Sequence, residues 1–198
     1  MVTDDRYALD RRQAVAALLE GRGDTLVVSG LGSTTYDVHA AGDHPGNFYL
    51  WGAMGGAPMI GLGLALAQPA RRVLVITGDG ELLMGLGALA TIGAVAKPAN
   101  LGIAVIDNGR YAETGMQRSH TSYGADLCAI ARGCGFEKTL QAADLAAVAQ
   151  LRELFQRGGG PILGVVRVSA QNPPRSLPSR DAVHLKNRFR AHLGLPQT

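Results

Sequence analysis

Apolar residues fall along this chain in two patterns. Val73-Leu-Val-Ile-Thr77, Leu101-Gly-Ile-Ala-Val-Ile106 and Pro161-Ile-Leu-Gly-Val-Val-Arg-Val168 are short, continuous, β-branched runs, the form taken by strands buried on both faces of a sheet. Thr25 to Ser29 is a briefer run of the same kind. Elsewhere the apolar positions recur at helical spacing. The first such stretch carries Ala8, Leu9, Ala14, Val15, Leu18 and Leu19, with Thr3 and Asp4 ahead of it and Gly21 and Gly23 behind. Further helices are expected over 35–40, over 52–68 with Pro58 in the first turn, and over 81–96, 126–133, 142–157 and 181–193, the last with Ser179 as candidate cap. Residues 43–51 read as a polar loop that turns aromatic, 109–121 as a long polar loop, and 136–139 as a connecting segment. Strands alternating with helices predict an α/β fold, a three-layer, doubly wound, mostly parallel sheet. The expected organisation is one domain over residues 1–170 and a basic C-terminal tail over 171–198 containing a helix.

The crossover from 81 to 96 makes the runs at 73–77 and 101–106 parallel neighbours, with carboxyl ends opening on one crevice, where such sheets bind ligands. The first run leads into Gly78-Asp79-Gly80-Glu81 and the second into Asp107-Asn108-Gly109. Two neighbouring strand ends thus each deliver an oxygen-bearing side chain, an arrangement suited to Mg²⁺, which takes oxygen ligands and commonly shares them with a phosphate. Asp79 and Asn108 supply two such oxygens, and a carbonyl in the turn after Asn108 can supply a third. Gly78, Gly80 and Gly109 permit positive φ and close approach of backbone to a ligand, and the N–H groups of the helix starting near Glu81 suit an anion. The site reads as one for a metal-bound diphosphate; the alternative is an acidic turn and a solvated Asn in an ordinary α/β domain. At the end of the first short run, Gly30-Leu-Gly32-Ser33-Thr34-Thr35 either takes phosphate oxygens or merely turns the chain and caps the next helix.

Composition narrows the class. Hydrophobic content of 46% with 27 glycines fits an α/β domain rich in tight turns and excludes a disordered chain. No apolar run reaches the ~18 residues of a membrane span, and Met1-Val-Thr-Asp-Asp-Arg lacks the order of a signal peptide. Cys128 and Cys134 read as reduced packing thiols of a cytoplasmic protein. The formal charge of +3 is uneven: from Gln171 onward five basic residues face one acid. Without interleaved aromatics or a reader motif that tail does not point to nucleic acid; a solvated or subunit-docking helix is expected instead.

Gly78-Asp-Gly, then 26 residues, then Asp107-Asn108 resembles the signature of thiamine diphosphate-dependent enzymes in their diphosphate-binding domain. The resemblance implies that Asp79, Asn108 and the backbone carbonyl of Arg110 ligate Mg²⁺, and that Gly32, Ser33, Gly52, Gly78, Gly80, Glu81 and Tyr111 surround the cofactor. Met54, in Gly52-Ala-Met-Gly, takes the place of the side chain that props the cofactor in its bent form; without the motif it reads equally as a filler of the core. Two departures stand out: Asp107 where many members have Asn, and Glu81 where many have Ser or Ala. A carboxylate at 81 would repel a diphosphate, so its side chain is expected to turn away and leave only its N–H to serve.

From Asn47 to Thr121 the chain is similar to the sulfopyruvate and phosphonopyruvate decarboxylases, on Asn47-Phe-Tyr-Leu-Trp-Gly-Ala-Met-Gly, Leu86-Gly-Ala-Leu-Ala-Thr-Ile-Gly93 and Thr114-Gly-Met-Gln, with departures at Met116 and Arg118-Ser119. This implies decarboxylation of a small 2-oxo acid by the β subunit of a two-component enzyme. The family uses a glutamate from a pyrimidine-binding domain that this chain does not contain, so a pyrimidine-binding α subunit is expected, in an α₂β₂ or larger assembly. His44 and His120 are candidate proton donors, and Arg118, Gln117 and Thr114 candidate substrate contacts. Carboligation, 2-oxo acid oxidation and a non-catalytic scaffold stay open as alternatives, although the lack of a cysteine cluster argues against an iron–sulfur centre in this chain.

Overall fold

The computed structural model describes residues 7–196; Thr3 and Asp4 lie outside the described residues. In chain order the elements are α1 (Arg11–Leu19), β1 (Leu26–Ser29), α2 (Ser33–Ala40), β2 (Asn47–Tyr49), α3 (Ala57–Ala67), β3 (Val73–Gly78), α4 (Asp79–Met84), α5 (Ala88–Ala90), β4 (Leu101–Asp107), β5 (Arg110–Tyr111), β6 (Gln117–Arg118), α6 (Leu127–Gly133), β7 (Lys138–Ala142), α7 (Leu145–Arg157), β8 (Ile162–Arg167) and α8 (Ala182–His192). Six strands form one parallel sheet in the order β2-β1-β3-β4-β8-β7. Helices cover both faces, each over its own apolar core. β3 and β4 are buried along nearly their whole length, which is why they read as unbroken apolar runs. Strand order reverses beside β1 and β3, opening a crevice at their carboxyl ends. Among the described residues no helix is long and apolar enough to cross a membrane.

Five elements depart from the pattern-based reading: β7 is an edge strand where a connecting segment was expected, its exposed polar residues hiding it, and four others follow. β2 lies where a loop was expected. Its inward residue Asn47 is polar yet buried, held by the Tyr49 hydroxyl at 3.0 Å and by Arg22, so no apolar alternation marks it. The crossover between β3 and β4 is not one helix but α4, α5 and a π-helical stretch Thr91–Ala96. It breaks at Gly85, whose backbone packs so closely on Gly55 that neither position has room for a side chain. The loop over 109–121 holds a two-stranded antiparallel hairpin, β5 with β6. Finally α8 is capped by Asp181, whose carboxylate accepts the His184 N–H at 3.0 Å, and not by Ser179.

The helix of the basic tail is not solvated but packs on the domain's own edge. Leu185 and Phe189 are buried on opposite faces of the sheet, Phe189 meets Phe48 edge to face at 5.5 Å between ring centres, and Arg188 pairs with Asp43 at 2.6 Å. The segment leading to it, residues 169–181, is an irregular strap. It is pinned by Asn172 to Arg11 at 3.2 Å, by Ser176 to His39 at 2.8 Å, and by the Ser179 carbonyl, which accepts the Trp51 indole N–H at 2.8 Å.

Candidate active site

The carboxyl ends of β1, β3 and β4 open into a cleft of about 310 Å³, within the size range of small-ligand sites. Asp79, Asn108, Arg110, Met54, Ser33 and Tyr111 all line it. Gly78 pairs with Ile106 across β3 and β4, so the chain delivers Asp79 and then Asp107 and Asn108 side by side. Asp79 is 1% exposed, and its Oδ2 accepts hydroxyls from Ser119 and from Thr121, the latter at 3.0 Å. Thr121 also reaches Asp107 Oδ1 at 2.8 Å. Burial, and next the charge of Asp107, push the Asp79 carboxyl up to about 6. Asp107 has a cation, Arg167, which stands opposite it in the register of β4 and β8. Asp79 has none among the described residues. A metal ion would stabilise a buried carboxylate of this kind at the edge of a cleft, and the donor set fits Mg²⁺. The Asn108 side-chain oxygen accepts the Arg110 N–H at 2.9 Å and keeps a second lone pair; Arg110 itself opens β5.

The opposite wall is the start of α2. Ser33 Oγ and Thr34 Oγ1 are buried and without a partner, and both residues line the cleft. Orphaned hydroxyls at a helix N-terminus suit a phosphate. Gly32 is the N-cap residue; neither it nor Gly52 lines the cleft. Behind this wall Asp37, fully buried, faces Arg12 at 3.2 Å and Arg11 at 3.0 Å, the latter pair without hydrogen-bond geometry. Burial outweighs both guanidiniums and raises the Asp37 carboxyl to about 6.

Glu81 turns its carboxylate down between the ends of β1 and β3. There it accepts the Leu31 N–H at 3.0 Å and the Thr77 hydroxyl at 2.7 Å. Burial raises its pKa. Gly30 makes room for that carboxylate, and Gly80 for the Tyr111 ring. Close approach of protein atoms, not of a ligand, therefore accounts for Gly80, and of Gly78, Gly80 and Gly109 only Gly109 has positive φ, +66°. Met54 is 40% exposed and outside both cores, which removes the core-filling reading; with Met84 it forms an apolar side of the cleft.

The two histidines do not join these groups. His44 precedes the first residue of β2 and meets His192 of α8 edge to face, with ring centres 5.3 Å apart. That places it at the amino ends of the parallel strands, opposite the cleft and away from Asp79 and Asn108. His120 is exposed and lines no part of the cleft; its neighbours Ser119 and Thr121 point at Asp79 instead. Arg118 is likewise exposed and off the cleft wall, whereas Thr114 and Gln117 line it. Motif reading missed Ser119, Thr121 and Arg167. The only trace in the chain is the pair of hydroxyls flanking His120.

Residues 30–164 match the family model described as thiamine pyrophosphate enzyme, C-terminal TPP binding domain, a span from the exit of β1 into β8. The chain belongs to the thiamine pyrophosphate enzymes. This thiamine pyrophosphate enzyme is 38% identical over 181 residues to the sulfopyruvate decarboxylase subunit beta of Methanothermobacter thermautotrophicus, covering 91% of this chain and 94% of that one. It is 44% identical over 140 residues to the phosphonopyruvate decarboxylase of Streptomyces viridochromogenes, covering 66% of this chain and 34% of the relative. Benzoylformate decarboxylase from Polynucleobacter necessarius shares the fold, with a TM-score of 0.70 at 18% identity over 88% of this chain and 36% of that one. The thiamine pyrophosphate enzyme described here thus spans nearly all of the sulfopyruvate decarboxylase subunit but about a third of each of the other two chains.

Proposed function

We propose that this chain is the β subunit of a two-component thiamine diphosphate-dependent decarboxylase acting on a small 2-oxo acid of the sulfopyruvate or phosphonopyruvate type. The observation that carries the reading is the buried Asp79 carboxylate, braced by Ser119 and Thr121 and with no cation among the described residues, across a cleft from the hydroxyls of Ser33 and Thr34, which have no partner among those residues. In it Asp79, Asn108 and the Arg110 carbonyl hold Mg²⁺, while Ser33 and Thr34 take diphosphate oxygens. When bound, thiamine diphosphate supplies the electron sink for loss of carbon dioxide. The subunit's share is to anchor and orient it, with Met54 as the apolar support and Arg167 neutralising Asp107, so that of the two carboxylates only Asp79 meets the metal. A pyrimidine-binding α subunit completes the pocket in an α₂β₂ or larger assembly. The two unpaired cysteines, Cys128 and Cys134, agree with a cytoplasmic setting.

The test is co-purification with the product of a neighbouring gene, followed by carbon dioxide release from a panel of 2-oxo acids in the presence of thiamine diphosphate and Mg²⁺. Asp79→Ala and Asn108→Ala are each expected to abolish metal-dependent cofactor binding while the circular dichroism spectrum stays unchanged. Cofactor binding equal to wild type in both variants would remove the metal assignment. A complex that binds cofactor yet releases no carbon dioxide from any acid would replace catalysis with a scaffold role.

A further inference from the structure

Beside the α2 hydroxyls lies an ion pair that the decarboxylase reading leaves unused. Glu113, in the turn between β5 and β6, pairs through Oε2 with Arg175 of the strap at 2.9 Å. Its side chain lies against the N-cap of α2: a Cβ on Gly32 would stand 2.9 Å from Glu113 Cγ and 3.6 Å from Oε1. Arg175 also lies over the Tyr36 ring, 5.6 Å from its centre, on the same helix. The pair therefore spans from hairpin to strap across the start of α2. Beneath it Thr34 is 3% exposed with no partner for its hydroxyl, and Glu113, Thr34, Ser33 and Arg11 all line the cleft. The donors thus stand ready for an anion, yet among the described residues no hydroxyl bonds to Glu113, whose carboxylate pairs with Arg175.

A diphosphate reaching these hydroxyls would carry its charge to within a few ångströms of the Glu113 carboxylate, which is 37% exposed, so the like charges repel in a salt-dependent way. It would find in Arg175 a guanidinium suited to phosphate oxygens. We propose that Glu113 and Arg175 form a latch over the anion seat, opened by the diphosphate: Glu113 is displaced, and Arg175 passes from the carboxylate to the terminal phosphate. Arg175 is then a further cofactor-binding residue contributed by the C-terminal strap, and Glu113 sets the threshold for cofactor entry. This rests on the diphosphate reading of the cleft.

The probe is inorganic pyrophosphate with Mg²⁺, titrated calorimetrically into the full chain. Glu113→Gln keeps the shape and removes the charge; it is expected to tighten binding about fivefold at low salt, a gain that shrinks near ~0.5 M salt as screening sets in. Glu113→Asp should restore wild-type affinity. Arg175→Gln, made in the Glu113→Gln background, should still weaken binding about fivefold, because the phosphate loses a partner; were Arg175 merely the counter-ion of Glu113, its loss there would change nothing. Equal or weaker affinity in Glu113→Gln, or affinity in the double variant equal to or tighter than in Glu113→Gln, overturns the latch while leaving the diphosphate site standing. Absence of Mg²⁺-dependent pyrophosphate binding in both wild type and Glu113→Gln overturns the site and the latch together.

Discussion

The residue that matters most to the proposed chemistry should weaken the metal-free fold. Burial and the neighbouring Asp107 raise the Asp79 carboxyl from 3.8 to about 6. At about 1.4 kcal/mol for each tenfold change in proton affinity, that is worth roughly 3 kcal/mol. The sign follows from which state holds the proton more tightly. Between about pH 4 and pH 6 the folded protein is protonated at Asp79 while the unfolded chain is not, so this group adds stability as pH falls through 6. Above 6 the folded state carries the full cost of a buried anion. Asp79→Asn keeps an oxygen for the Ser119 and Thr121 hydroxyls and removes the charge. Urea unfolding in the presence of a chelator should therefore find the variant more stable than wild type at pH 7, by up to ~3 kcal/mol, with the difference closing towards pH 4. Adding Mg²⁺ and thiamine diphosphate should reverse the order, because only wild type gains from binding. A variant less stable than wild type at pH 7 without metal, or a difference that ignores pH, would refute the account of the site as a charge awaiting a cation.

Three further outcomes are expected. Phe189→Ala removes a side chain only 7% exposed and should cost about 3 kcal/mol in denaturant unfolding; an unchanged midpoint would make α8 an appendage. Met54→Ala, at a position 40% exposed, should cost less than ~1 kcal/mol of stability yet lower turnover of the assembled complex more than its cofactor affinity. A folding defect alone would return Met54 to a packing role. Gly30→Ala would place a methyl group on the Glu81 carboxylate and force it from the Leu31 N–H and the Thr77 hydroxyl, a loss of at least ~2 kcal/mol, to be read from the thermal midpoint; wild-type stability would mean the carboxylate is not seated there.

What the chain declared in advance was what burial on both faces writes into it. β3, β4 and β8 are continuous apolar runs because both sides of each are covered. That Asp79 and Asn108 stand at neighbouring strand ends was legible because the crossover between β3 and β4 fixes which strands are neighbours. β2 hid because Asn47 and Tyr49 bury polar atoms on one another, and that omission misplaced His44: until the strand is seen, nothing tells which of its ends the preceding loop occupies. β5 and β6, two residues each, are too short to carry a period. Ser119 and Thr121 have no signature, since a hydroxyl acquires meaning only from the carboxylate it faces. The Arg167–Asp107 pair exists only through sheet register, which no local pattern records.

An open parallel sheet has two rims, and this one treats them differently. The rim at β7 is left with exposed Lys138 and Gln141, polar side chains that discourage a foreign strand from adding on. At the β2 rim, α8 sets Leu185 into the apolar layer below the sheet and Phe189 into the one above, like a clip folded over the edge of a page. Shortening the polypeptide before residue 181 would strip that clip away, baring Phe48 beside a row of unsatisfied main-chain groups. Such truncations should produce sticky, self-associating material, so expression tags belong beyond the last helix and deletions well short of it.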